Sequence, residues 1–421
     1  MKNKKIILIT SILIVALIAI FSFTYIKTTN EKEKKTIIFK ETPALINELY
    51  IYGTKLNIKG TINIEEQIQD LKLIMINDNK EEIELNTLYN VSNNVVNFRL
   101  SDTYNEGLYL DGQNLGNYAF ALKTSVKNAE NKEINNYYLL ENNTDYKDTT
   151  YYTITKDNTS KKIVIKDKMD NYDTLSMQVN KNTEETYDIV IDAGHGGKDP
   201  GACYYGKCET DYTLDLAKSL KTKLEKAGFK VALTRNENIT LSTYGDNGRV
   251  AIPGNLKAKY LFSFHLNSGS WNGVEIYASN NINYNLANDI ATYIVSYTGT
   301  NYSTKKPNKV SNGVYSRTFK QHEIDSFYKE IDQDGYKRYD INTSDNYYYI
   351  IRETGGYLTG AYTDGRDGYQ KNPYVNSNVG TESYILEVGY ISNWDDLANI
   401  SSKREEYTEA VKEAIIKNIY K

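Results

Sequence analysis

Between residues 56 and 165, apolar side chains return at every second position in several short runs. Leu56-Asn57-Ile58-Lys59-Gly60-Thr61-Ile62-Asn63-Ile64 alternates apolar and polar, the period of a strand with one buried face. Residues 71–76, 95–100, 118–122, 151–154 and 162–165 read the same way, separated by Asn, Asp and Gly clusters. Short strands with turn signals and no long helical period predict an all-β sandwich of immunoglobulin-like size over 36–183. From Tyr187 the period changes. The apolar-rich strand 187–191 leads into a helix bearing Leu214, Ala217, Leu220, Leu224 and Ala227, closed by Gly228. A strand at 230–235 and a helix through 249–258 follow, then strands at 260–264 and 273–279 and a helix at 286–294. Further strands are expected at 347–352 and 383–388, and a charged helix from 401. Strands alternating with helices predict an α/β domain over 184–421, a mostly parallel twisted sheet with helices on both faces.

The N-terminus carries a different pattern. After Lys2, Lys4 and Lys5, the stretch Ile6–Ile26 has no charged residue. As a helix it would be about 31 Å long, enough to span a bilayer. A cleavable signal peptide competes, but the run exceeds the usual apolar length and ends without a small-x-small site. The expectation is an uncleaved transmembrane signal anchor at 6–26 within residues 1–35, a basic stub, anchor and charged stalk. The flanking lysines would place the chain after Lys27 outside the cell membrane.

Composition narrows the function. Of 421 residues 40% are hydrophobic and 25% charged, an ordinary globular balance, and the net charge of −4 leaves no basic field for nucleic acid. Tyrosine is abundant at 39, histidine scarce at three. Cys203 and Cys208 could close a small disulfide loop or stay as two thiols; alone they cannot make a structural zinc site.

The scarce histidines carry the chemistry. His195 follows the 187–191 strand in a Gly-rich loop, His265 ends the 260–264 strand, and Glu387 lies near the end of 383–388. Ligands gather at such carboxyl ends of strands in open α/β sheets. Glu209 begins the next helix, where its carboxylate can point back at His195. Two His and one Glu with an open fourth position form a catalytic zinc set, so His195, Glu209 and His265 are the expected Zn2+ ligands. Glu387, flanked by apolar Leu386 and Val388, is the expected proton carrier. His322 sits in a polar stretch and is expected to be exposed. The helix after Gly194-His195-Gly196-Gly197 begins too late for that loop to be a phosphate cradle.

With those residues in view, the stretch Ile189-Val190-Ile191-Asp192-Ala193-Gly194-His195-Gly196-Gly197-Lys198-Asp199-Pro200-Gly201-Ala202 resembles the opening signature of the zinc-dependent N-acetylmuramoyl-L-alanine amidases of the amidase-3 type. Glu209-Thr210-Asp211-Tyr212-Thr213-Leu214, Leu233-Thr234-Arg235 with Arg249, Ser263-Phe264-His265-Leu266-Asn267-Ser268 and Glu387-Val388-Gly389-Tyr390-Ile391-Ser392-Asn393 are similar to that family's later motifs, in its order. The resemblance covers roughly 187–280 and 345–421. It implies hydrolysis of the amide between N-acetylmuramic acid and L-alanine in peptidoglycan, with the anchor holding the enzyme at its substrate. The sequence departs from the family pattern by inserts at about 300–345 and 354–381. One or both inserts, of which 354–381 is rich in Tyr and Gly, are candidates to line or cover the cleft and stack on glycan. A peptidase or deacetylase of the wall, and a non-catalytic wall-binding scaffold, are the alternatives. No His-x-x-x-His pair favours the first and no ligand is lost to favour the second.

Overall fold

The alternating runs become strands, as their period requires, in a computed structural model that describes residues 37–100, 107–145, 148–168, 173–375 and 377–419. Ala44–Tyr52, Lys55–Asn63, Val95–Leu100 and Thr87–Ser92 pair antiparallel in that order. A second layer pairs Ile68–Asn77 and Ser176–Lys181 with Gly116–Lys127, and extends through Lys161–Lys166 to Thr149–Tyr152. Ile46, Ile58 and Phe98 from one layer and Leu73, Phe120 and Ile163 from the other meet in one buried cluster. The layers are continuous, because Glu133–Asn142 pairs with Gly116–Lys127 and then runs parallel to Ala44–Ile46.

In the second half, Val231–Leu233, Ile189–Ala193, Tyr260–Asn267 and Glu382–Tyr390 lie side by side and parallel. Glu275–Tyr277 joins antiparallel and carries Val314–Tyr315 and Lys309–Ser311 at the edge. The 300–345 stretch thus adds two strands to the sheet, and the helix Gln321–Gln333 with an exposed His322. Ile189 and Ile191 face the helices Thr210–Lys226, Asn285–Thr298 and Arg404–Ile419, while Val190 faces Ile350 and Ile351 on the other side. Alternation along one strand therefore buries both faces of the sheet.

Several expectations need correction. Residues 347–352 read as a strand, but Tyr349–Arg352 is a helical turn. A strand would send Ile350 and Ile351 to opposite faces, whereas both bury in one cluster. The helix expected through 249–258 shrinks to Ile252–Asn255, which holds Pro253 and Gly254. The transmembrane helix, and with it the single-pass membrane placement, is also withdrawn. No helix among the described residues is long and apolar enough to cross a membrane. Thr210–Lys226 and Arg404–Ile419 span 17 and 16 residues and carry charges throughout. Residues 6–26 lie outside the described residues.

The β-rich half meets the parallel sheet at the amino ends of its strands, opposite the end that carries His195, His265 and Glu387. Tyr50, Tyr52 and Ile154 enter the same core as Ile189, Phe262 and Tyr384. Thr155 N donates to Asp188 Oδ1 at 2.9 Å, and Tyr152 and Lys162 reach Glu184 at 2.8 and 2.6 Å. The 354–381 insert completes this junction. Its Val379–Gly380 pairs parallel with Ile51–Tyr52, and Asn378 bonds Thr149.

Candidate active site

Strand Ile189–Ala193 is buried along its length and delivers His195 into a loop whose tightest positions are held by glycine. A Cβ at Gly194 would lie 2.5 Å from the His265 ring, and one at Gly201 2.7 Å from the His195 ring. The loop therefore wraps both imidazoles at van der Waals distance. Two buried guanidiniums fix it. Arg235 donates to the Ala193 and Gly194 carbonyls at 2.9 Å each, and Arg249 to Ala193 O at 2.9 Å and to His195 O. Asp192 anchors them from below, paired with Arg249 and accepting from Ser263 and Thr234 at 2.6 Å each. Burial alone would raise the Asp192 carboxyl, but Arg249 and the two hydroxyls hold it low.

The loop, the helix start and the neighbouring strand bring His195, Glu209 and His265 together. His195 Nε2 lies 3.1 Å from Glu209 Oε2 and 3.2 Å from His265 Nδ1, and His265 Nδ1 lies 3.5 Å from Glu209 Oε2. Three donors of a tetrahedral zinc ion stand about 3.3 Å apart, so the donor set and its spacing fit that metal. Glu209 and His195 are held by further bonds. Glu209 Oε1 accepts from Ala202 N at 2.8 Å, its Oε2 from Leu266 N at 3.1 Å, and His195 Nδ1 meets Asp199 Oδ2 at 2.9 Å. A carboxylate behind a ligating imidazole orients it and fixes its tautomer. Burial opposes ionisation of Glu209, yet the hydrogen bonds and charges of the two histidines bring its carboxyl to about 2. His195 moves the other way. Burial lowers it, but Glu209 and Asp199 raise it overall.

Glu387 stands directly across the strand pair from His265. Its Oε2 is buried without a hydrogen-bond partner. Burial, then the charges of Glu209 and Glu275, push this carboxyl well above its usual range, against Lys305. Glu275 is its cross-strand neighbour on the other side and is fully engaged, by Tyr277 at 2.7 Å, Ser303 at 2.6 Å, Asn267 at 3.1 Å and Lys305 at 3.2 Å. Asp199, Glu275 and Lys305 escaped the sequence reading. Asp199 lies inside the quoted motif, and its spacing from His195 in a tight loop was the available signal. Glu275 and Lys305 gave none, since their meeting depends on strand order. Cys203 and Cys208 form a disulfide that closes a hairpin just before Glu209.

Residues 189–420, more than half of the chain, match the family model described as N-acetylmuramoyl-L-alanine amidase. The chain is 40% identical over 91 residues to the sporulation-specific N-acetylmuramoyl-L-alanine amidase of Bacillus subtilis, 21% of this chain and 34% of that protein. It is 36% identical over 103 residues to the probable cell wall amidase LytH of Staphylococcus aureus, 23% of this chain and 33% of that one. The chain therefore spans about a third of the length of these curated relatives. Among solved structures, Cwp6 from Clostridium difficile is similar at 23% identity over 56% of this chain and 30% of that chain, with a TM-score of 0.38. The catalytic domain of CwlV from Bacillus (Paenibacillus) polymyxa var. colistinus is similar at 23% identity over 55% of this chain and 97% of that one, with a TM-score of 0.36.

Proposed function

The chain belongs to the N-acetylmuramoyl-L-alanine amidase family, and on that premise we propose that it hydrolyses the amide between N-acetylmuramic acid and L-alanine of the peptidoglycan stem peptide. One observation carries the reading: three donor atoms 3.1 to 3.5 Å apart beside a buried, unpartnered carboxylate oxygen. His195, Glu209 and His265 would hold a zinc ion. When bound, it supplies Lewis acidity to the scissile carbonyl and lowers the pKa of a water. Asp199 keeps the His195 ring turned so that Nε2 faces the other two donors. Glu387 takes a proton from the attacking water and returns it to the departing alanine nitrogen, for which an elevated carboxyl pKa is suited. Arg235 and Arg249 keep the loop carbonyls engaged, so the imidazoles do not swing.

Mass spectrometry of purified sacculi digested by the full chain tests this. Free stem peptides beginning with L-alanine, absent with chelator and restored by zinc, are expected. Peptide fragments or deacetylated sugars instead would assign the site to a different bond.

A further inference from the structure

The Cys203–Cys208 hairpin is two residues per strand, Cys203–Tyr204 against Lys207–Cys208, with Tyr205 and Gly206 as its turn. Both turn residues have positive φ, 55° and 73°, the mirror-image turn of tight hairpins. Gly206 adopts it freely. Tyr205 does not, because a bulky side chain in the left-handed region is disfavoured and turns of this type prefer asparagine there. Such a residue persists where its surroundings hold it, and clusters at functional sites.

What the strained backbone achieves is the placement of a ring. Tyr205 OH donates to Ser392 O at 3.1 Å, and its ring meets Trp394 edge-on at 5.4 Å. Ser392 Oγ in turn accepts from Gly269 N at 3.0 Å and donates to Gly269 O at 2.8 Å. Three loops are fastened at this point, and they leave the strands that deliver His195, His265 and Glu387. The aromatic side chains they carry are not buried. Tyr205 is 57% exposed, Trp394 61%, Tyr204 43% and Trp271 39%, and Trp271 and Trp394 are the chain's only two tryptophans. A packing role would bury these rings. Tyr204, Tyr205 and Trp394 follow one another at ring separations of 6.3 and 5.4 Å, and Trp271 stands against Gly269 of the same fastening; contiguous exposed apolar surface marks a binding face.

We propose that Tyr205 and Trp394, with Tyr204 and Trp271, form a platform beside the candidate active site on which the glycan strand flanking the cleaved amide stacks its N-acetylated sugar rings. The inference rests on the amidase reading, which puts an N-acetylmuramic acid next to this wall. Pyranose rings present flat C–H faces that suit exposed aromatic faces, and their polar rims leave the ring edges in water.

The two tryptophans report on the platform directly. Intrinsic fluorescence of the full chain is expected to shift saturably with chitohexaose and with peptide-free glycan strands, and not with free stem peptide. Trp394→Ala and Tyr205→Ala should weaken that binding about tenfold, raising KM on sacculi similarly with kcat unchanged. Tyr205→Asn installs the residue the turn prefers and removes the ring, so it should keep the disulfide hairpin while weakening glycan binding. A purely structural tyrosine would leave glycan binding by that variant at the parental level. No glycan response, a response to stem peptide alone, or parental glycan binding by Tyr205→Asn would overturn the proposal. Fluorescence needs no turnover, so sacculi left uncleaved despite a glycan response would strike the amidase reading and not the binding face.

Discussion

At Glu387 and Asp199, single atoms decide the outcome. Glu387 Oε2 has no partner while Glu209 has its oxygens filled, so the two carboxylates are expected to fail differently. Glu387→Gln should leave zinc content at the parental level and lower kcat by roughly 10²–10⁴-fold; near-parental turnover would exclude it as the proton carrier. His195→Ala or His265→Ala should lose metal and activity together. The Asp199 carboxylate bonds His195 Nδ1 and the Gly201 amide. Asp199→Ala should therefore weaken zinc binding by about 10–100-fold, read by chelator competition, with the fold intact. Unchanged affinity would reduce Asp199 to a loop brace.

The elements show how much the sequence could say. The convergence of His195, Glu209 and His265 was legible because His195 follows a strand in a Gly-rich loop, Glu209 opens a helix and His265 stands in the carboxyl half of its strand, and such places are marked by glycine and by breaks in the apolar period. The strand at 187–191 and the helix after Glu209 follow from their own patterns. Tyr347-Tyr348-Tyr349-Ile350-Ile351 misled, since aromatic and β-branched residues suit a pleated surface and only the shared burial of Ile350 and Ile351 selects a helical turn. The role of Val379–Gly380 was invisible, because pairing with Ile51–Tyr52 joins residues more than three hundred positions apart. The aromatic wall expected of the 354–381 insert is carried in our proposal by the disulfide hairpin, whose partner Trp394 opens another helix. That helix, Trp394–Ser402, starts where Asn393 accepts from Asp396 N at 3.0 Å. Asn393→Ala should lower stability by about 1 kcal/mol in urea denaturation; a loss below a few tenths would deny the cap its role.

For the whole molecule, Glu382 at the junction is one of the buried carboxyls that shape the response to pH, beside Glu353 and Asp111, which burial raises to about 7 and about 6. Glu382 is buried at the start of its strand beneath Gly53, where a Cβ would fall 2.4 Å from its Oε2. Burial raises its carboxyl to about 7, against a hydrogen bond from Tyr384 and the charge of Lys55. The folded chain thus holds this proton more tightly than the unfolded one, whose carboxyl titrates near 4.5. Its contribution is complete below that value and is lost as pH rises through about 7, by up to about 3 kcal/mol. Glu382→Gln should flatten the decline in denaturation midpoint between about pH 5 and pH 8; a parental slope would place its origin elsewhere. The same seam limits how this protein can be taken apart. Cutting near residue 183 would strip the cover from Phe262 and Tyr384 and leave Val379 with an open backbone edge, so a catalytic fragment made that way should be sticky and short-lived. Exchanging the β-rich half for that of another protein, as if it were an interchangeable cassette, would have to bring along a matching segment of the insert.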